Sequence, residues 1–219
     1  MPITERRFAI QTPSRLEGAA LWLIVAFFLC RSFLVTADRL TWMLEVFWIV
    51  AALPVLALSW RRLTLTRLLC GLLFIHALVL IHGGAYTYAE APAGFWLKDL
   101  FGFERNPWDR VGHFLQGFEP AILSRELFLR FSPLARGKLL VYVILSSCLA
   151  FSAAFELLEW WAALALGADA NAFLAIQGDP WDTQWDMFLC LMGAICALLL
   201  FSRWHDRQLG LRMESNRLA

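Results

Sequence analysis

Five long apolar runs dominate this chain: Glu17–Thr36, Leu40–Ser59, Leu65–His82, Leu139–Leu166 and Trp185–Phe201. A helix needs about 20 mostly apolar residues to cross about 30 Å of hydrocarbon at about 1.5 Å per residue. All five meet that requirement, which makes the chain an all-α, polytopic membrane protein. Composition agrees: 60% of the 219 residues are hydrophobic and 17% charged, against about 45–50% and about 25% in soluble domains. Nineteen basic residues against 18 acidic ones leave a net charge of +1, which excludes a nucleic-acid partner. Five cysteines lie inside apolar runs with no CxxC pair, which argues against a disulfide framework or a cysteine-ligated metal.

A sixth segment, Trp108–Phe131, is more polar, carrying Asp109, His113, Glu119, Arg125 and Glu126. It is expected to span with these groups turned toward a bundle interior. Six spans then form a single transmembrane domain over residues 1–219. The first span is too long, and too far from the start of the chain, for a cleaved signal peptide. With the N-terminus placed in the cytoplasm, fourteen of the 19 Lys and Arg fall inside, including Arg6, Arg7, Arg61, Arg62, Arg212 and Arg217. This positive-inside asymmetry predicts that both termini are cytoplasmic. Trp60 and Trp204 would mark the inner interface, and Trp96, Trp108, Trp181 and Trp185 the outer one. Residues 83–105 are too broken to span. Pro92 is suited to open a short helix with an apolar face of Phe95, Trp96, Leu100 and Phe101, lying on the outer leaflet. The tail from Ser202 reads as a solvated basic end.

This orientation gathers the acidic residues on the outer side, among them Asp99, Glu104, Asp109, Glu156, Glu159, Asp169, Asp179, Asp182 and Asp186. Two stretches there repeat each other: Asn106-Pro107-Trp108-Asp109 followed by His113, and Asp179-Pro180-Trp181-Asp182 followed by Asp186. Asn106 and Asp179 are suited to N-cap two helices with proline at N1 and aspartate near the positive end of the dipole. His113 and Asp186 lie one turn deeper, beyond the reach of capping. The fifth long segment adds Glu156 and Glu159 on one face. Five carboxylates and one imidazole at one level predict a shared site holding a divalent cation: Mg²⁺, Mn²⁺, Ca²⁺ or Zn²⁺. The expected metal ligands are Asp109, His113, Glu159, Asp182 and Asp186. The alternative is a structural salt-bridge network with Lys98, Arg105 and Arg110. Glu45, His76 and Glu119 are expected to make interhelical hydrogen bonds in preference to relaying protons, and Arg31 either to snorkel outward or to pair with Glu45.

The run from GGAYTYAEAPAGFWLKDLFGFERNPWDRVGHFLQGFEPAILSRE through AFELLEWW to QGDPWDTQWDMFLCLMGA and SRWHDRQL closely resembles the YjdF-like family of bacterial inner-membrane proteins, over about residues 80–210. That resemblance implies a bacterial inner-membrane location and carries no biochemical activity with it. A more distant likeness is to VanZ-like membrane proteins, linked to glycopeptide-antibiotic tolerance. The matching residues are Asp109, Arg110, His113, Glu156 or Glu159, Asp186 and Gly193, with Asp179 and Asp182 extra and Cys190 where that family has Asn.

Three functions compete. The first is an enzyme at the outer leaflet acting on a phosphate-bearing lipid or lipid-linked substrate. Its cation would polarise the phosphate, His113, Glu156 or Glu159 would act as general acid and base, and Arg105, Lys98 and Arg110 would hold the head group. The second is a small transporter or flippase, for which six helices imply a homo-oligomer. The third is an accessory subunit docking a partner through its outer loops.

Overall fold

The computed structural model describes residues 10–59, 63–167 and 177–211, and every regular element among them is helical. Arg6, Arg7, Trp60, Arg61, Arg62, Asp169, Arg212 and Arg217 lie outside the described residues. The elements are α1 (Arg15–Val35), α2 (Arg39–Ser59), α3 (Arg67–Tyr86), a 3-10 turn (Tyr88–Glu90), α4 (Pro92–Phe101), α5 (Trp108–Phe131), α6 (Lys138–Leu166) and α7 (Asp182–Gln208). Five of them, α1, α2, α3, α6 and α7, are long and apolar enough to cross a bilayer. α5, at 24 residues, has the length but buries Asp109, His113, Gln116, Glu119, Arg125 and Glu126.

Local chemistry fixes the helix starts. Ser14 and Glu17 form a capping box on α1, each side chain accepting from the other's amide. Asp38 accepts from the amides of Leu40 and Thr41 and from the Thr41 hydroxyl at the start of α2. The Thr66 hydroxyl caps α3 through the Leu69 amide.

α5 is the axle of the bundle. It packs on α3, α6 and, most extensively, α7, while α1 and α2 pack chiefly on α3, with Trp48 of α2 also against Phe151 and Phe155 of α6. The α5–α7 contact is close because two glycines face each other's backbone. A Cβ on Gly117 would stand 1.7 Å from the Cys190 carbonyl oxygen, and one on Gly193 would stand 2.0 Å from that of Phe114. Small residues at a crossing let two membrane helices approach this way. Leu65, Leu69, Ile122, Leu129, Ile144 and Leu198 form the main apolar core. The exposed Leu23, Phe27, Leu34 and Leu58 leave α1 and α2 an apolar outer surface suited to lipid.

Several predicted boundaries move. α3 runs past His82 to Tyr86, so the predicted interfacial segment 83–105 loses its beginning. Its remainder holds α4, opened by Pro92 as expected, with Phe95, Trp96, Leu100 and Phe101 exposed. α7 starts at Asp182 rather than Trp185 and continues beyond Phe201 to Gln208. As far as Gln208 the segment after Ser202 is therefore not a solvated end: His205 and Asp206 are buried against Arg125 and Glu126. The helix starts at the two repeats also shift. Pro107 sits at the N-cap of α5 and Pro180 just ahead of α7, not at N1. Asn106 and Asp179 act two residues ahead instead, accepting from the amides of Trp108 at 3.0 Å and Trp181 at 2.9 Å. These short Asx turns replace the expected caps. The two repeats share this turn, but α5 begins one residue after its proline and α7 two residues after its own.

The two ends of the described chain meet. The Gln11 amide donates to the Gln208 carbonyl, Arg67 donates back to Gln11, and Leu68 donates to the Gln208 side chain. Residues 11 and 208 thus share one end of the bundle, the Glu126 end, opposite Asp109.

Candidate functional site

Asp109, His113, Gln116 and Glu119 stand at i, i+4, i+7 and i+10 on α5, which is one helix face. Because the glycine crossing draws α7 in, Asp186 meets the upper part of that face. Single ligand atoms from Asp109, His113 and Asp186 lie within 4.8 Å of one another. His113 Nε2 is 3.5 Å from Asp109 Oδ1 and 3.8 Å from Asp186 Oδ2, while its Nδ1 is 3.8 Å from Glu156 Oε1 on α6. These gaps are longer than good hydrogen bonds. They fit donors that share a cation at about 2.0–2.6 Å from each. All four residues are buried, Asp186 at 2% exposure. Asp109 Oδ2, His113 Nδ1, Glu156 Oε1 and Asp186 Oδ1 have no hydrogen-bond partner among the described residues. A satisfied salt-bridge network would not leave four such atoms in one place.

The network exists, but as a separate rim. Arg105 contacts Asp182 at 2.6 Å and Asp179 at 3.8 Å, and Arg110 contacts Asp179 at 2.8 Å and lies over the Trp185 ring. Asp182 therefore belongs to the rim, held by Arg105, and only Asp186 of the α7 pair joins His113. Arg105 reaches toward the inner cluster through a 4.0 Å approach to Asp109. Lys98 is half-buried on α4. Reciprocal hydrogen bonds between Gln177 and the Asn106 backbone tie the two helix-start loops together beneath this rim.

Below the cluster runs a cavity of about 510 Å³ between α1, α2, α3, α5 and α6. Glu159 is on its wall, as are Asp109 and His113. The cavity also brings in residues that sequence reasoning assigned elsewhere. Glu45 is buried and faces this space, whereas Arg31, its suggested partner, is exposed. Tyr88 reaches the same wall because Gly83 and Gly112 leave room for its ring: a Cβ at either would lie 2.4 Å and 2.9 Å from ring carbons. Burial pushes the Tyr88 phenol well above its ordinary value, and the nearby Glu45 and Asp109 push it the same way. Its hydroxyl is thus a neutral hydrogen-bond donor at the cavity wall.

The chain is 45% identical over 172 residues to the inner membrane protein YjdF of Escherichia coli (strain K12), covering 78% of this chain and 82% of that protein. No solved structure matches it. A family model described as "Predicted membrane protein (DUF2238)" matches residues 18–207, which takes in α2 to α6, nearly all of α1 and α7, and every residue of the buried cluster. The chain therefore belongs to the DUF2238 family of membrane proteins.

Proposed function

We propose that Asp109, His113 and Asp186 hold a divalent cation, and that the site is a metal-dependent enzyme centre for a phosphate-bearing lipid or lipid-linked substrate. The observation that carries this reading is the convergence of the three ligand atoms within 4.8 Å, with unpartnered oxygens beside them. A cation supplies the positive charge that three neighbouring carboxylates lack. Bound between Asp109 and Asp186, it takes Nε2 of His113. Glu156 then faces the far nitrogen and fixes the ring, as carboxylates do behind metal-bound histidines. That leaves Glu159, on the cavity wall, as the general base. The cation neutralises and polarises the phosphate. Arg105, Arg110 and Lys98 surround the approach from the rim and α4 and favour an anionic head group.

Calorimetry on the full chain in detergent, with Mg²⁺, Mn²⁺, Ca²⁺ and Zn²⁺ in turn, tests the cation. Saturable binding is expected for at least one ion, abolished by D186N or H113A, and E156Q should weaken it by about 10–100-fold. Absence of binding heat for all four, together with a Tm insensitive to chelation, would sink the reading.

The orientation forms part of this proposal. The relative from Escherichia coli is named an inner membrane protein, and the basic residues of this chain concentrate toward the Glu126 end. On this reading the cation site faces the periplasm and both termini lie in the cytoplasm. Alkaline phosphatase fused after Gln208 should be inactive, and inserted after Gly102 it should be active. The reverse pattern would invert the topology.

A further inference from the structure

Glu119 lies ten residues along α5 from Asp109, about 15 Å at the helical rise and so half the hydrocarbon thickness. Its Oε2 is 3.2 Å from Nδ1 of His76 on α3, and the residue is 5% exposed. Glu119 Oε1 and His76 Nε2 have no hydrogen-bond partner among the described residues, and both side chains line the cavity. Glu45 Oε1 and His113 Nδ1 on the same wall are in the same condition.

Four buried polar atoms without partners among the described residues are costly to leave dry. They lie in a cavity of about 510 Å³, which has room for several waters, and water settles where it finds polar partners. Those partners occupy one half of the space. From Asp109 to Glu119 the α5 wall is Asp109, His113, Gln116 and Glu119; beyond Glu119 the walls turn chiefly apolar, with Leu53, Leu56, Leu63, Leu73 and Leu123. The polar half of the cavity thus offers sites for a file of water from Asp109 to the pair.

We infer that His76 and Glu119 form a mid-membrane proton-exchange site, reached by water along the polar face of α5 from the Asp109 end of the bundle. A hydronium at the end of the file gives its proton to the pair and is left as water; the return step reverses this. A metal ion does not suit the position, because three ligand atoms converge only at Asp109, His113 and Asp186 among the described residues. The other titratable groups lining the cavity are Glu45 on α2, Cys70 on α3, Tyr88 on the 3-10 turn, Asp109 and His113 on α5, and Cys148 and Glu159 on α6. Cys148 is turned toward the Gly117 carbonyl. Intramembrane carboxylate and histidine chains of this kind carry protons in pumps and transporters.

The site requires no bound cation, so its test is separate from that of the metal. Infrared difference spectra of the full chain in nanodiscs, taken between alkaline and acidic buffer, should contain a protonated-carboxyl band that E119Q removes. In deuterated buffer that band should shift within minutes. H76N, which keeps the carboxyl but changes its partner, should displace the band, and neither variant should alter the calorimetric binding of divalent cations. Spectra of E119Q that superimpose on wild type would overturn the inference. So would a Glu119 band that ignores deuterium for hours, or one that H76N leaves in place.

Discussion

A single methyl group at Gly117 or Gly193 should lower stability by about 1–3 kcal/mol or more, since overpacking at a rigid contact has that cost. The added carbon would lie 1.7 Å or 2.0 Å from a backbone oxygen of the opposite helix. Backbone cannot rotate aside as a side chain can, so α5 and α7 must separate. The same separation moves Asp186 away from His113. G117A and G193A should therefore lower the Tm and weaken cation binding together. G71A is the control: a Cβ there meets nothing within 4 Å, and alanine within a helix gains about 0.5–1 kcal/mol over glycine. Equal Tm values for all three variants would refute the close crossing.

Loss of Glu126 should be the other severe change. Its carboxylate accepts from the Thr66 amide and hydroxyl, from Arg130 at 2.8 Å and from His205 Nε2 at 3.0 Å. Arg125 donates to His205 Nδ1 at 2.9 Å, so that nitrogen is an acceptor and the histidine carries its proton on Nε2. E126A strands Arg130, the His205 N–H and the Thr66 donors in a buried place, where breaking a pair costs about 3–5 kcal/mol. By contrast R67A, which removes an exposed pair with Glu17, should cost about 0–1 kcal/mol. Unfolding midpoints in a denaturing-detergent titration measure both. An E126A midpoint no lower than that of R67A would contradict the network described.

The long apolar helices were readable because length and hydropathy suffice to place them. The cluster of Asp109, His113 and Asp186 was readable for a different reason: spacing put Asp109 with His113, and Asp182 with Asp186, on one helix face each, and the repeat put both faces at one level. The division into inner cluster and rim was not. Asp182 and Asp186 have the same residue type and share a face, and only the positions of Arg105 and Asp179 in space separate them. Glu45 and Tyr88 were missed as cavity residues because each stands alone on its element, with no neighbour at helical spacing to mark a face. Glu126 and His205 lie 79 residues apart. A chain scanned in windows shows a polar helix and a basic tail there, not a joined pair.

The joining of α5 to α7 has a consequence for biogenesis. α5 ends at Phe131 and α7 begins at Asp182, so at about 5–20 residues per second some 3–10 s of translation separate them. During that interval α5 has been synthesised with Arg125, Glu126, Asp109 and His113, while the residues of α7 that neutralise or flank them do not yet exist. A helix so charged gains little by partitioning alone into lipid. Its polar face is complete only once α7 is present. A chain that ends before α7 lacks Asp206 and His205, and with them the partners that Arg125 and Glu126 have in the folded bundle.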